Sequence, residues 1–121
     1  MTLNEIANQL VDGCRTGKET ENLATLYAPD AVSVEAVDHG QGREAHGMAA
    51  LQGKHAWWDS AFEVLEAQVS DPFPHGDDRF AVTFQVKAKS RETGEVTDMN
   101  EVAVYHVADG KIVREEFFYG A

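Results

Sequence analysis

The sequence predicts a single α+β domain in which three N-terminal helices pack against a curved antiparallel sheet and enclose a pocket. Apolar residues recur at helical spacing near the start of the 121-residue chain. From residue 63 onwards, apolar and polar residues alternate with period two, which is typical of half-buried strands. Helices followed by strands with short turns between them favour an antiparallel sheet, and the length fits one domain over residues 1–121.

The first helix has clear start and stop signals. Thr2 and Glu5 form a capping-box pair, in which each side chain can satisfy a backbone N–H of the other residue. Gly17 and Lys18 are expected to close the helix, because glycine tolerates a left-handed C-terminal conformation. The apolar stripe between these signals contains Leu3, Ile6, Leu10 and Cys14.

Two further helices are predicted. The second begins at Thr20, continues through Tyr27 and stops before Pro29, because the residue before a proline avoids helical geometry. The third covers residues 48–62. Its apolar side contains Leu51, Trp58 and Phe62.

The remaining segments are predicted to be strands and turns. Asp109-Gly110 is the best hairpin signal in the chain. Loops are predicted at residues 38–47 and 71–78, and Thr93-Gly94 supplies another turn. The predicted strands cover residues 31–37, 63–70, 80–87, 96–108 and 112–119.

Composition excludes several classes of function. A net charge of −11 argues against nucleic-acid binding, which needs clustered lysine and arginine. A single cysteine, Cys14, excludes an intramolecular disulfide and a multi-cysteine metal site. No apolar run approaches the roughly 20 residues of a membrane span, and no basic region precedes an apolar stretch at the N-terminus. We therefore expect a cytoplasmic protein that binds neither membrane nor nucleic acid.

Other familiar sites are also not expected. His39 and His46 lie seven residues apart with no accompanying ligand pair, so we expect no metal. Gly40-Gln41-Gly42 lacks the preceding strand and following helix of a dinucleotide motif. No serine lies in a nucleophile elbow, and no cofactor is expected.

Three segments resemble the SnoaL-like, or nuclear-transport-factor-2-like, superfamily. They are LATLYAPDAVSVEA at residues 23–36, the helix that begins at Gly47, and the ending DGKIVREEFFYGA at residues 109–121. The resemblance implies a cone-shaped barrel of helices and sheet that commonly forms homodimers through the outer face of the sheet. The superfamily includes ketosteroid isomerases, polyketide cyclases, dehydratases, epoxide hydrolases and non-enzymatic binding domains, so fold alone does not choose the function.

The resemblance also implies which strand residues face the pocket, because residues two apart share a face. The inward residues are Glu35, Met99, Glu101, Ala103, Tyr105, Val107, Glu115, Phe117 and Tyr119. The outer face would then carry Val102, Val104, His106, Arg114 and Phe118. A row of exposed apolar residues there favours burial in a homodimer.

Three carboxylates, Glu35, Glu101 and Glu115, would share one apolar cavity. Crowding and burial raise carboxyl pKa values, which prepares general acids and bases for neutral pH. The alternative is that one or two of them lie at the rim in water, or pair with Arg43 or Lys111.

Resemblance to two branches of the superfamily implies specific roles for Glu35 and Glu115. The base of the ketosteroid isomerases falls on Glu35, but their two oxyanion donors fall near Val11 and Ala103, which cannot donate. The acid/base residue of the polyketide cyclases is best matched by Glu115. Tyr105 or Tyr119 would have to act as a donor instead.

The leading hypothesis is acid/base chemistry on a small, mostly apolar organic molecule, by isomerisation, cyclisation or dehydration. The candidate catalytic residues are Glu35, Glu115 and Tyr119. A non-catalytic ligand-binding or dimerisation domain is the alternative, and an adaptor with a filled pocket is a third. The roles of His39, His46 and His55, and the choice between Trp57 and Trp58, stay undecided. The expected pocket residues are Tyr27, Trp58, Phe62, Met99, Glu101, Tyr105 and Phe117.

Overall fold

The structure, a computed structural model, describes residues 1–120 of the chain. Its helices and strands follow the predicted order, with helices first and a meander of strands afterwards. The helices are α1 Leu3–Arg15, α2 Glu19–Leu26 and α3 Met48–Ala61. The strands are β1 Tyr27–Val34, β2 Glu44–His46, β3 Phe62–Val69, β4 Phe73–His75, β5 Arg79–Ser90, β6 Val96–Ala108 and β7 Lys111–Phe118. No helix within residues 1–120 is long and apolar enough to cross a membrane.

The predicted signals at both ends of α1 are confirmed. The Glu5 N–H donates to Thr2 Oγ1 at 3.2 Å, and the Thr2 N–H donates to Glu5 Oε1 at 3.0 Å. Gly17 has φ 74°, and the Lys18 N–H donates to the Gly13 carbonyl at 2.7 Å. Both ends of the helix therefore satisfy backbone groups that would otherwise lack partners.

The predicted bounds of α2 are wrong at both ends. Lys18 is the N-cap, without a side-chain hydrogen bond, so Thr20 lies inside the helix. The helix stops at Leu26, and Tyr27 is the first residue of β1. Pro29 lies within β1, where the register with β7 is irregular between Tyr27 and Val32. An interrupted ladder tolerates a proline because no strand hydrogen bond needs its missing N–H.

The sheet has the strand order β2-β1-β7-β6-β5-β3, with β4 also paired to β5. The pairs from β3 to β7 are antiparallel, and Asp109 and Gly110 both have positive φ in the predicted tight turn. The exception is that β1 runs parallel to β7, with Ser33 opposite Glu115. The short strands β2 and β4 lie within the two segments that were predicted to be loops.

The three helices cover the concave face of the sheet and bury the core against it. Phe80 and Tyr105 stack there with ring centroids 4.9 Å apart. The buried apolar cluster includes Ile6, Leu10, Leu23, Leu26, Leu51, Phe80, Val82, Tyr105 and Ile112. Contacts between the helices and the sheet therefore bury the core on one face of the sheet.

A close contact between α1 and α2 leads to a first prediction. A Cβ atom at Gly13 would lie 2.4 Å from the side-chain amide of Asn22, which is buried and donates to the Leu10 carbonyl at 3.2 Å. We expect Gly13→Ala to lower the free energy of unfolding by about 1–3 kcal/mol, because it disrupts a buried hydrogen bond. Gly53 is a matched control, since a Cβ atom there meets nothing within 4 Å.

Gly53→Ala should instead raise the free energy of unfolding by about 0.5–1 kcal/mol, because alanine favours the helix. Urea denaturation followed by circular dichroism measures both changes. Equal effects of the two substitutions would contradict the proposed packing of α1 against α2.

Candidate functional site

Along β6 and β7, more buried residues alternate with more exposed ones, as the sequence predicts. Ala103, Tyr105 and Glu115 point towards the helices and are buried. Val102 and Phe118, on the opposite face, are exposed. The concave face therefore brings several of the predicted site residues under the helices, and their contacts define a candidate site.

Glu115 is a buried carboxylate whose two oxygens both accept hydrogen bonds. It is 4% exposed. The Tyr27 hydroxyl donates to Oε1, and the Ser33 hydroxyl donates to Oε2 at 2.8 Å. The parallel pairing of β1 with β7 places Ser33 directly beside Glu115. These two donors offset part of the cost of removing the carboxylate from water.

Lys54 is the cation of the site. Its Nζ donates to Ser33 Oγ at 2.6 Å and to Glu35 Oε2 at 2.9 Å. One ammonium group therefore pairs directly with Glu35 and reaches Glu115 through the Ser33 hydroxyl. At this separation, opposite charges that are partly shielded from water attract each other appreciably.

The two cations suggested by the sequence have other partners. The Arg43 guanidinium donates to the backbone carbonyl of Glu35 at 2.9 Å, and it lies 3.9 Å from the carboxylate of Glu116. Lys111 donates to the Thr25 carbonyl at 2.9 Å. Glu35 is partly exposed and ion-paired, but its partner is Lys54 on α3.

Hydrogen bonds also link Glu35 to two further side chains. The Tyr119 hydroxyl donates to Glu35 Oε1 at 3.2 Å, and His39 Nε2 lies 2.7 Å from the same hydroxyl. Because Tyr119 gives its only proton to Glu35, His39 Nε2 must be the donor in the second contact. Burial, then the nearby Glu35 carboxylate, raises the pKa of Tyr119 to about 12. Tyr119 is therefore a neutral hydrogen-bond donor at physiological pH.

These contacts form one continuous polar chain from the interior to the surface. Its two ends differ in exposure, since Tyr27 is buried and His39 is exposed. In order, the polar chain consists of Tyr27, Glu115, Ser33, Lys54, Glu35, Tyr119 and His39. Every link is a hydrogen bond between side chains, so the protonation state of one member affects its neighbours.

Glu101 lies beside this polar chain without belonging to it. Its side chain forms no hydrogen bond or ion pair with any residue from 1 to 120, and it is partly exposed. Burial raises the pKa of the Glu101 carboxyl, Glu35 raises it further, and Lys54 opposes the shift. A carboxyl with a raised pKa and no partner is suited to exchange protons with a ligand.

Apolar side chains surround Glu101 on the concave face. Phe84 lies opposite it on β5, and Val86 lies opposite Met99. All of these side chains are partly exposed, as is Phe117, whose ring centroid lies 5.4 Å from Lys54 Nζ. The site therefore combines an apolar surface with the ammonium group of Lys54 and the Glu101 carboxyl, which has no partner within residues 1–120.

The structure distinguishes between the two tryptophans. Trp58 is partly buried and stacks on Phe62 with ring centroids 4.6 Å apart. Trp57 is 62% exposed and meets Phe62 only edge-on. Trp58 is therefore the tryptophan that faces the body of the domain.

Other predicted residues lie outside the polar chain. Tyr105 is buried against Phe80, and its hydroxyl makes no hydrogen bond within residues 1–120. Val11 and Ala103 are buried and apolar, as the sequence implies, so neither supplies a donor. His46 pairs with Glu44 at 2.9 Å on the surface.

Residues 1–120 contain no site for a metal ion. Within the described part of the chain, no three histidine, cysteine, aspartate or glutamate side chains are grouped to hold one. Burial raises the pKa of the Cys14 thiol to about 12, which disfavours the reactive thiolate.

The sequence analysis missed Lys54 and Ser33, although both carried a signal. Lys54 lies three residues after Leu51 and four before Trp58, so it belongs to the apolar side of α3. Ser33 shares the strand face of Glu35, since the two are two residues apart. Helical spacing and strand alternation would have placed both residues on the inward face if polar side chains had been considered there.

The hydrogen bonds to Glu115 lead to a second prediction. We expect Tyr27→Phe to lower the free energy of unfolding by about 1–3 kcal/mol, because a buried carboxylate loses a donor. Tyr105→Phe is the matched control, since it removes from a buried tyrosine a hydroxyl that has no partner among residues 1–120 and keeps slight access to solvent. Chemical denaturation at neutral pH measures both variants, and a loss in Tyr105→Phe as large as in Tyr27→Phe would contradict the assignment.

Known proteins share this architecture. The SnoaL-like domain family matches residues 1–119, whereas no curated protein matches the chain. A Mesorhizobium loti protein with the provisional name SnoaL-like polyketide cyclase is 34% identical, with a TM-score of 0.92 over 98% of this chain and 100% of that one.

Two more distant structures share the fold. A Catenulispora acidiphila protein with a ketosteroid isomerase-like fold, solved in complex with trimethylamine, is 19% identical, with a TM-score of 0.74 over 99% of this chain and 88% of that one. A Pseudomonas putida protein with the provisional name polyketide cyclase is 21% identical, with a TM-score of 0.72 over 99% and 92%. Because the family match spans nearly every residue and the Mesorhizobium loti protein is similar throughout, this chain belongs to the SnoaL-like domain family.

Proposed function

We propose that the concave face binds a small, mostly apolar organic molecule and transfers protons to and from it. The observation that carries this proposal is the carboxyl of Glu101, which has a raised pKa, no partner among residues 1–120 and apolar neighbours. The reaction class is isomerisation, cyclisation or dehydration, each of which moves protons without a cofactor. The term polyketide cyclase in the provisional name of the Mesorhizobium loti relative, which also carries the term carbohydrate phosphatase, supports the same class.

The geometry favours different roles for the three carboxylates. Glu101 exchanges the proton, because it is accessible and has no competing partner. Glu35 is held by Lys54 and Tyr119, and it orients the ammonium group of Lys54 towards the ligand. The catalytic role of Glu115 stays a prediction, and its burial behind Tyr27 and Ser33 favours a supporting role in the site.

The second candidate function is ligand binding without catalysis. The observation that favours it is the apolar character of Val11 and Ala103, where the ketosteroid isomerases have their donors. This candidate predicts saturable binding of apolar molecules that persists when carboxylates are replaced by amides. It also predicts no turnover in any variant.

A variant of Glu101 separates the two functions. We expect the protein to catalyse exchange of deuterium from heavy water into a panel of small cyclic ketones, at the carbon beside the carbonyl, measured by proton NMR. Glu101→Gln should slow this exchange by roughly 10²-fold or more, because the general base is lost. Glu63→Gln, at an exposed glutamate, is the matched control and should leave the rate unchanged.

The pH dependence gives a further check of the same prediction. The base must be ionised, so exchange should fall as the pH decreases through the raised pKa of Glu101. If Glu101→Gln retains the full rate, Glu101 is not the base. Saturable ketone binding with no exchange by the wild-type protein would favour the non-catalytic candidate.

We also propose that two copies of the chain associate through the outer face of the sheet. Val102 and Phe118 lie opposite each other across β6 and β7, and they are 38% and 49% exposed. They border a groove of about 230 Å³ that Thr83, Gln85 and Asn100 also line. An apolar patch of this kind, rimmed by polar side chains, is typical of a symmetric contact between subunits.

Substitution of the patch tests the dimer. Light scattering after size-exclusion chromatography should give twice the mass of one chain for the wild-type protein and one chain mass for Val102→Asp. The reason is that a charge at the centre of an apolar interface would be buried without a partner. Trp57→Ser, which removes an exposed apolar side chain on α3, should remain dimeric. A monomeric wild-type protein would exclude this interface.

A further inference from the structure

We propose that Lys54 binds the carbonyl oxygen of the ligand and stabilises the negative charge that develops on it. The inference rests on the proposed function and names the chemical class of the ligand. That class is a neutral, mostly apolar molecule with a ketone-like oxygen beside an acidic carbon–hydrogen bond.

An ammonium group has three N–H donors. Two of those on Lys54 are taken by Ser33 Oγ at 2.6 Å and Glu35 Oε2 at 2.9 Å. The third finds no oxygen acceptor within residues 1–120, and the side chain is 30% exposed. One N–H therefore remains for an acceptor on a ligand.

This donor is held in place before any ligand binds. Ser33 on β1 and Glu35, just after β1, both accept hydrogen bonds from the ammonium group. The ring centroid of Phe117 lies 5.4 Å from Lys54 Nζ. A ring at this distance attracts the cation without accepting a conventional hydrogen bond. Donors fixed in this way stabilise developing charge effectively, because they need not reorganise during the reaction.

Lys54 and Glu101 lie on the same side of the sheet. Lys54 Nζ is 5.4 Å from the ring of Phe117, and Phe117 is paired with Ala103 on β6. Ala103 and Glu101 share a strand face because they are two residues apart. Consistent with this placement, the ammonium opposes the rise in the pKa of the Glu101 carboxyl that burial and Glu35 cause. A ligand oxygen on Lys54 would therefore place the adjoining carbon near the proposed base. Proton transfer beside a carbonyl requires a base near the carbon and a hydrogen-bond donor near the oxygen. Glu101 and Lys54 would provide these two groups.

The surrounding charges favour a neutral ligand over an anion. Lys54 already faces the carboxylates of Glu35 and Glu115, and Glu101 adds a third acidic group. An anionic ligand would meet net negative charge. A ketone carries little charge when it binds and gains negative charge only during the reaction, so the stabilisation acts on the transition state.

The electron balance of the step is complete without a co-reactant. The Glu101 carboxylate takes a proton from the carbon beside the carbonyl, and the electron pair of that bond forms a carbon–carbon double bond. The carbonyl π electrons move to the oxygen, which the Lys54 N–H stabilises. Return of the proton from Glu101 to carbon restores the carbonyl. Lys54 thus supplies the donor that Val11 and Ala103 cannot provide.

Two matched probes test this assignment. Naphthalene measures apolar binding alone, and 2-naphthol adds one oxygen to the same ring system. We expect wild-type protein to bind 2-naphthol more tightly than naphthalene, and the ratio of the two dissociation constants to fall roughly tenfold or more in Lys54→Met, as for a hydrogen bond to a charged group. Lys89→Met, at an exposed lysine, is the matched control and should keep the wild-type ratio.

The wild-type protein provides a second measurement that does not depend on the folding of Lys54→Met. In protein with ¹⁵N-labelled lysine, 2-naphthol should shift the Lys54 Nζ resonance, assigned with Lys54→Arg, and naphthalene should not. If naphthalene binds but the ratio and the resonance are insensitive to the oxygen, the role of Lys54 is wrong while the apolar site remains. If neither probe binds, the proposed function itself is wrong.

Discussion

Burial of the Glu115 carboxylate constrains the architecture of this domain. A carboxylate removed from water costs several kcal/mol unless its oxygens accept hydrogen bonds and its charge is balanced. The partners come from separate segments, with Tyr27 and Ser33 on β1 and Lys54 on α3. Strand β1 must therefore lie beside β7, and α3 must pack against β1 so that Lys54 reaches Ser33. Packing of the apolar core alone would not demand this arrangement.

The same requirement explains which parts of the fold could be predicted from the sequence. The signals of α1, the alternation along β5 and β6, and the turn at Asp109-Gly110 are local, and the structure confirms them. The parallel pairing of β1 with β7 joins residues more than 80 positions apart. No pattern within either segment encodes that contact. The start of β1 at Tyr27 depends on it too, because the Tyr27 hydroxyl bonds Glu115.

The candidate site shows a similar division. The family resemblance, together with strand alternation, predicted that Glu101 and Glu115 share a face, and the partial burial of Glu101 and full burial of Glu115 agree. It could not assign different roles to the carboxylates, because these depend on partners from other elements. Glu115 meets two hydroxyl groups, Glu35 meets an ammonium group, and Glu101 meets none within residues 1–120. Ranking them required the position of Lys54, which was not predicted from the sequence and whose contacts helical spacing alone does not specify.

The uneven burial of the concave face bears on how such a domain diversifies. Core side chains such as Phe80 and Ile112 are fully buried, so truncating either of them would lower the free energy of unfolding by several kcal/mol. Met99, Phe84 and Val86 near Glu101 are only partly buried, and the fold depends on them less. Under the proposed function, changes in ligand preference can therefore accumulate around Glu101 at little cost to stability. A domain built in this way could acquire new ligands while its scaffold and its proposed proton-transfer groups stay the same.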